Sequence, residues 1–177
     1  DITAGLRWTN VDISSLYVSG GFPFVNTSRS ESRWTPRVGA TYRLAKGVSA
    51  FAGYSEGFKG LVAAFGVADP KPETSRSYEA GLKLTAPIKG LTGTVAAYEI
   101  TRRNVTTADP SNPFASIQAG EQRARGVEAD MVYEPSPALS VLAAYAYTDA
   151  KVTKDNTLPV GDRPTRTPEH SLRLAAR

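Results

Sequence analysis

Cysteine is absent from the 177 residues, and His170 is the only histidine. No disulfide frame, thiolate metal site or cysteine nucleophile is therefore available, and a Ser-His-Asp arrangement would need His170 itself. No serine sits in a nucleophile-elbow pattern, and His170 lies at an expected strand start without metal-ligand spacing around it. Gly20-Gly21 and the stretch Gly57-Phe58-Lys59-Gly60 lack phosphate-loop spacing. The chain reads as neither an enzyme nor a metal-binding protein. Basic residues number 21 and acidic residues 17, a small excess with the arginines scattered. That distribution excludes the basic stripe of a nucleic-acid binder. No apolar run approaches the roughly 18 residues of a spanning helix, so an α-helical membrane protein is excluded as well. A β-barrel is not, because half of each wall strand faces water and dilutes the mean hydropathy, here -0.28.

What the chain does have is one-by-one alternation. In Tyr78-Glu79-Ala80-Gly81-Leu82-Lys83-Leu84, apolar residues take every second place, so a strand there has one apolar and one polar face. Similar segments are expected at 1–13, 34–43, 48–57, 75–86, 91–103, 115–133, 139–150 and from 172 onward. Their connections are alternately short and long. Leu44-Ala45-Lys46-Gly47, Pro87-Ile88-Lys89-Gly90 and Glu134-Pro135-Ser136-Pro137-Ala138 are short, whereas 14–33, 58–74, 104–114 and 151–167 are long. Alternation combined with this loop asymmetry is what an antiparallel transmembrane barrel wall requires. A strand of about ten residues rises roughly 33 Å and, tilted by about 40°, spans about 25 Å of apolar band.

The faces can be assigned residue by residue. Leu6, Trp8, Val38, Ala40, Tyr42, Ala80, Leu82, Leu84, Tyr98, Met131, Tyr133, Val141 and Tyr145 are expected to face lipid. Tyr42 and Tyr133 fall beside short turns, whereas Trp8, Tyr54, Tyr78, Tyr145 and Tyr147 fall toward long loops, as two interfacial girdles would. Glu79, Lys83, Glu99, Arg103, Glu128 and Asp130 are expected in a wet lumen. Gly39, Gly53, Gly81 and Gly126 are wall positions that permit coiling or close approach from inside.

Several strings, in order, carry a resemblance. These are Tyr54-Ser55-Glu56-Gly57-Phe58, then Pro72-Glu73-Thr74-Ser75 running into Tyr78-Glu79-Ala80-Gly81-Leu82-Lys83, then Tyr98-Glu99-Ile100-Thr101-Arg102-Arg103-Asn104-Val105 with Asp109-Pro110. Gly120-Glu121-Gln122-Arg123-Ala124-Arg125-Gly126-Val127-Glu128, Tyr145-Ala146-Tyr147-Thr148-Asp149-Ala150 and Pro168-Glu169-His170-Ser171-Leu172 follow. Together they resemble the late barrel of TonB-dependent siderophore receptors, almost continuously over 34–177 and more loosely before. The resemblance implies about 22 strands around a lumen plugged by an N-terminal domain, in the outer membrane of a Gram-negative bacterium. It also implies uptake of ferric siderophore, the transported ligand, with energy from the TonB complex and no directly bound cofactor. Asp1 to Gly5 already reads as strand and the last residues end in mid-alternation. The chain is therefore expected to be about eight strands of such a barrel, 1–177, without plug or terminal strands.

Ligand contacts are expected from loop aromatics, Tyr17, Phe22, Phe24, Phe58, Phe65 and Phe114, since a ferric siderophore offers a bulky, moderately polar surface. Arg123 and Arg125 are expected beyond the bilayer, paired with Glu121 or lipopolysaccharide. Two other readings stay open: a small self-closed eight-stranded outer-membrane barrel with a structural or adhesion role, and a soluble carbohydrate-binding β-sandwich.

Overall fold

A computed structural model gives one antiparallel sheet of eight strands in sequence order. It describes every residue except 20–21, 62–66, 68–69, 86–87, 110, 156–157 and 165–166, with the backbone alone described at 15–19, 22–27, 108, 113 and 119. The strands are β1 (Ile2–Ser19), β2 (Phe22–Ala45), β3 (Val48–Lys59), β4 (Glu73–Thr85), β5 (Leu91–Asp109), β6 (Asn112–Ser136), β7 (Leu139–Lys154) and β8 (His170–Ala176). Each pairs with its sequence neighbours, and β1 and β8 are the two edges. A self-closed eight-stranded barrel would pair β1 with β8, and a sandwich would need a second sheet; the described residues form neither.

The short connections carry the chemistry their geometry needs. Gly47 and Gly90 take φ of 75° and 79°, a region that costs glycine little and other residues much. The long connections differ from expectation. β1 and β2 continue through most of 14–33, pairing as far as Ser19 with Phe22, and β5 and β6 continue to Asp109 with Asn112. Polar Ser, Thr and Asn residues sustain these extensions because a ladder standing in water needs only its backbone hydrogen bonds, not an apolar face. The turn signal at Asp109 to Pro113 thus closes a long hairpin rather than opening a loop.

Direct partners in an antiparallel pair share a face, so the register sorts every side chain. One row runs Val38, Tyr54, Tyr78, Glu99, Arg125, Asp149 from β2 to β7. The next row runs Ala40, Ala52, Ala80, Ala97, Val127, Tyr147, His170. Leu6, Trp8, Tyr42, Leu82, Leu84, Met131, Tyr133, Val141 and Tyr145 lie on this same apolar face.

Tyr98 does not. It is paired with Glu79 and Gly126, on the opposite, polar face. There its ring lies against Gly126, where a Cβ would come within 2.9 Å of the phenol oxygen, and its hydroxyl bonds Thr148 Oγ1 at 2.7 Å. A tyrosine stretched across a glycine to the next strand but one fills the gap the glycine leaves. Glu99 and Arg103 move the other way. They pair with Tyr78 and Thr74 on the apolar side of the sheet, rimward of the greasy band rather than in a lumen.

Candidate functional site

The sheet offers three surfaces. On the apolar face, large residues are exposed along almost every strand, Ile2 at 83% and Tyr42 at 73% among them. Aromatic residues mark its boundaries. Trp8 and Trp34 pack at 5.0 Å between ring centroids, Tyr54 and Tyr78 at 5.0 Å, and Tyr147 and His170 at 5.3 Å. The Tyr145 hydroxyl also bonds His170 Nδ1 at 2.8 Å.

This boundary slides along the register. Trp34 stands four residues rimward of Val38, whereas Tyr147 stands two residues turnward of Asp149 in the same row. That is a slip of six residues over five strand spacings, roughly 20 Å against roughly 24 Å, which is level only if the strands tilt by about 40°. The opposite boundary agrees: from Tyr42 to Tyr133 the slip is four residues over four spacings, a tilt of roughly 35°. Both values lie in the range of transmembrane barrel strands.

The polar face is the second surface, and over the middle of the wall several of its ionic groups are solitary. Among the described residues no ion pair is formed by Arg7, Arg37, Glu79, Lys83, Glu128 or Asp130. Glu79, Glu128 and Asp130 lie within electrostatic reach of one another. Beside them, β1 to β3 carry an open depression of about 280 Å³ floored by the directly paired Gly39 and Gly53 and edged by Arg37, Phe51 and Glu79. A Cβ at either glycine would meet only ordinary contacts, whereas one at Gly81 would strike the Val95 carbonyl and lies 2.9 Å from Phe51 Cε1. Of these three glycines, Gly39 and Gly53 leave space.

The rim is the third surface. Here the strands outrun the apolar band, and small apolar residues are buried conventionally: Val105, Ala115, Ala150 and Val152, the last 1% exposed. The connection after β3 is tied down at both ends. Arg29 Nη2 donates to the Leu61 carbonyl at 3.0 Å. Gln118 accepts from the Lys71 amide at 2.5 Å and donates back to its carbonyl, and Asn104 Nδ2 donates to the Pro72 carbonyl at 2.8 Å. Asn104 holds φ of 58° at a bulge in β5, a conformation asparagine tolerates better than most residues. Its placement was open to detection in sequence only as an Asn near a strand end, and Arg29 and Gln118 carried no signal.

Several charges at the rim are paired. Arg125 meets Asp149 at 3.2 Å, Arg103 meets Glu121 at 2.8 Å, and Arg76 meets Glu56 at 3.4 Å. Glu121 therefore takes Arg103, not Arg123, and Arg125 takes Asp149. A hydrogen bond from the Tyr54 hydroxyl at 2.5 Å, helped by Arg76 and Arg33, holds the Glu56 carboxyl below its ordinary range against the opposing effect of burial. Bonds from Lys151 and Arg125 hold Asp149 down likewise.

Of the loop aromatics, Phe58 is half-buried and borders a cleft of about 520 Å³ with Gly5, Arg7 and Arg37, where β3 parts from β2. Phe114 is the third residue of β6 and is 87% exposed. Tyr17, Phe22 and Phe24 lie on the β1–β2 extension, their side chains outside the described residues, and Phe65 is outside them altogether. Phe58 and Phe114 stand on different hairpins.

The family description TonB dependent receptor-like, beta-barrel, matches residues 1–177. The chain belongs to the TonB-dependent receptor family. Within that family it is 38% identical over 156 residues to the metal-pseudopaline receptor CntO of Pseudomonas aeruginosa, covering 86% of this chain and 22% of that protein. It is 33% identical over 183 residues to the ferrichrome outer membrane transporter/phage receptor of Escherichia coli, covering 99% and 23%. Among solved structures, the siderophore receptor PiuA of Acinetobacter baumannii shares its fold with a TM-score of 0.80 at 18% identity, over 99% of this chain and 28% of that one. The ferric preacinetobactin receptor BauA of the same species gives 0.74 at 26% identity, over 99% and 26%. The chain spans about a quarter of the length of these relatives, so its open sheet is a stretch of a TonB-dependent receptor barrel.

Proposed function

We propose that this chain is wall and rim of an outer-membrane receptor that takes up ferric siderophore complexes with energy from the TonB system. The observation that carries the reading is the sloped pair of aromatic boundaries enclosing an exposed apolar band, since only a tilted wall in a bilayer makes that band level. The printed names of the relatives, receptors and transporters of metal chelates, support the cargo class. On this reading Leu6, Trp8, Val38, Ala40, Tyr42, Ala80, Leu82, Leu84, Met131, Tyr133, Val141 and Tyr145 face lipid, and Tyr98 faces the lumen.

The unpaired Arg7, Arg37, Glu79, Glu128 and Asp130 support a partner inside the barrel. Charges left without partners on an exposed face are available to a plug that carries opposite charges and links the receptor to TonB. Phe58 and Phe114, with Tyr17, Phe22, Phe24 and Phe65 nearby in sequence to the rim, are the aromatic candidates for the chelate, which is cargo and not a resident cofactor. Uptake of radiolabelled ferric chelates by cells expressing the full-length protein, with and without TonB, tests the proposal. TonB-dependent accumulation of at least one ferric siderophore is expected, and accumulation of none would reject it.

A further inference from the structure

Two hollows on the polar face meet at one residue pair. The upper, of about 520 Å³, and the lower, of about 280 Å³, share Arg37 and Ser55, which are direct cross-strand partners. The upper hollow exists because β3 leaves β2. Thr41 and Asp1 exchange backbone hydrogen bonds at 2.8 Å, so by alternation the Pro36 nitrogen faces β3, where it has no hydrogen to give. The β2–β3 ladder ends one residue before it, at Arg37 with Ser55. Beyond that point β3 arches toward β1 over the polar side. A Cβ on Gly60 would lie 2.8 Å from Ile13 Cδ1, and Arg29 fixes the Leu61 carbonyl.

Farther along this face, glycine gaps are filled from within the wall, Gly81 by Phe51 and Gly126 by Tyr98. Gly5, Gly39 and Gly53 stay open: Gly39 and Gly53 meet only ordinary contacts, and a Cβ at Gly5 would meet nothing within 4 Å. Charge changes down the opening. Arg7 stands two residues rimward of Gly5, the partner of Arg37. Neither arginine forms an ion pair among the described residues. Glu56 borders the upper hollow, but Tyr54, Arg33 and Arg76 hold its carboxylate. Glu79 borders the lower one.

We propose that the two hollows form one groove along which an anionic metal chelate passes the wall, with Arg7 and Arg37 as successive stations. The inference rests on the reading of the chain as a transporter wall. A basic throat draws the anion in, and the Glu79 carboxylate below keeps it from resting there, as passage rather than storage requires. Acidic groups of a plug and the cargo then compete for the same two cations.

The test uses the full-length receptor in cells, with single cysteines labelled from outside. The probes are two bulky maleimides that cannot cross the membrane, one sulfonated and one bearing a quaternary ammonium. Ser55→Cys, at the waist of the groove, should react about tenfold faster with the sulfonated reagent, and Arg7→Gln with Arg37→Gln should abolish that preference. Ala146→Cys lies at a similar depth on β7, where Ala146 pairs with Glu128, and should show no preference for the anion. Equal rates at Ser55→Cys, or a preference that survives loss of both arginines, would overturn the groove. Filling it is the second arm. Gly53→Trp should abolish accumulation of radiolabelled ferric citrate, a carboxylate chelate, and undiminished accumulation would overturn the route. Should that variant lose the heat-modifiability of a folded barrel, Gly39→Phe asks the same question. Wild-type accumulation of a neutral ferric trihydroxamate but no ferric citrate would overturn the charge assignment. Labelling and uptake also separate the two proposals: charge-selective labelling without uptake of either chelate rejects transport alone, and uptake with charge-blind labelling rejects this groove alone.

Discussion

Within β7 the rule for what is buried reverses in a few residues. Tyr145 is exposed on the apolar face, whereas Ala150 and Val152, a few residues rimward and on the opposite face, are buried. The same contrast separates the two halves of the molecule. In the wall, bulky Ile2, Trp34, Tyr42 and Leu172 are exposed, and the polar face holds unpaired charges. At the rim, small apolar side chains gather under the tied ends of a loop, and charges meet in pairs across strands. On the proposed reading one ladder serves two solvents. Where lipid is that solvent, apolar surface has no reason to hide and the backbone must be wholly paired. Where water is the solvent, burial and ion pairing follow the ordinary rules.

The contrast breaks or holds first on Leu82. Leu82→Arg is expected to cost about 2–4 kcal/mol in denaturant unfolding of the full-length receptor from vesicles, whereas Lys83→Arg next to it costs close to nothing. Equal losses would end the assignment of two faces. Gly81 is not a fair control, because a Cβ there strikes the Val95 carbonyl and adds a steric cost to any charge. At the rim, Val152→Ala should cost about 2 kcal/mol through lost burial and the cavity left behind. Hydrogen exchange should localise that loss to the rimward ends of β6 and β7, and exchange spread evenly over the wall would show that rim and wall are one cooperative unit.

A smaller effect sharpens the position of Tyr98. Tyr98→Phe should cost about 1 kcal/mol, the worth of its bond to Thr148, and a neutral result would return it to the lipid side. The smallest effect is in pH. The Asp149 carboxyl has its folded value lowered, first by Lys151 and then by Arg125, so its contribution to stability is present at neutral pH. It is lost as pH falls through that lowered value, below the ordinary carboxylate range. Asp149→Asn should flatten this acid limb of the unfolding midpoint, and an unchanged limb would show that the pair adds nothing.

The strands themselves were legible because a period of two needs no tertiary context to be read, and the short turns announced themselves through Gly47, Gly90 and the prolines near Ser136. Strand ends were less so. Ser14 to Arg33 mixes polar residues with Leu16, Tyr17, Val18, Phe22, Phe24 and Val25 in no sustained alternation, and without a period of two a paired hairpin cannot be told from a loop. The rim's tie points were also hidden, since Gln118 and Lys71 meet across 47 residues and nothing local marks either.

β5 shows where sequence ends and tertiary structure begins. Val95-Ala96-Ala97-Tyr98-Glu99 alternates on either assignment, because both faces carry small apolar residues and each carries one feature of the other. The sequence by itself determined that β5 is a strand, that it belongs to a two-faced wall, and that its ends lie near a short turn and a long one. Which face holds Tyr98 was decided only when Ala97 met Ala80 and Val127, and Tyr98 met Glu79 and Gly126. The parity of a strand is reset at each turn, and only pairing with a neighbour, whose own faces are already told apart by its alternation, sets it again.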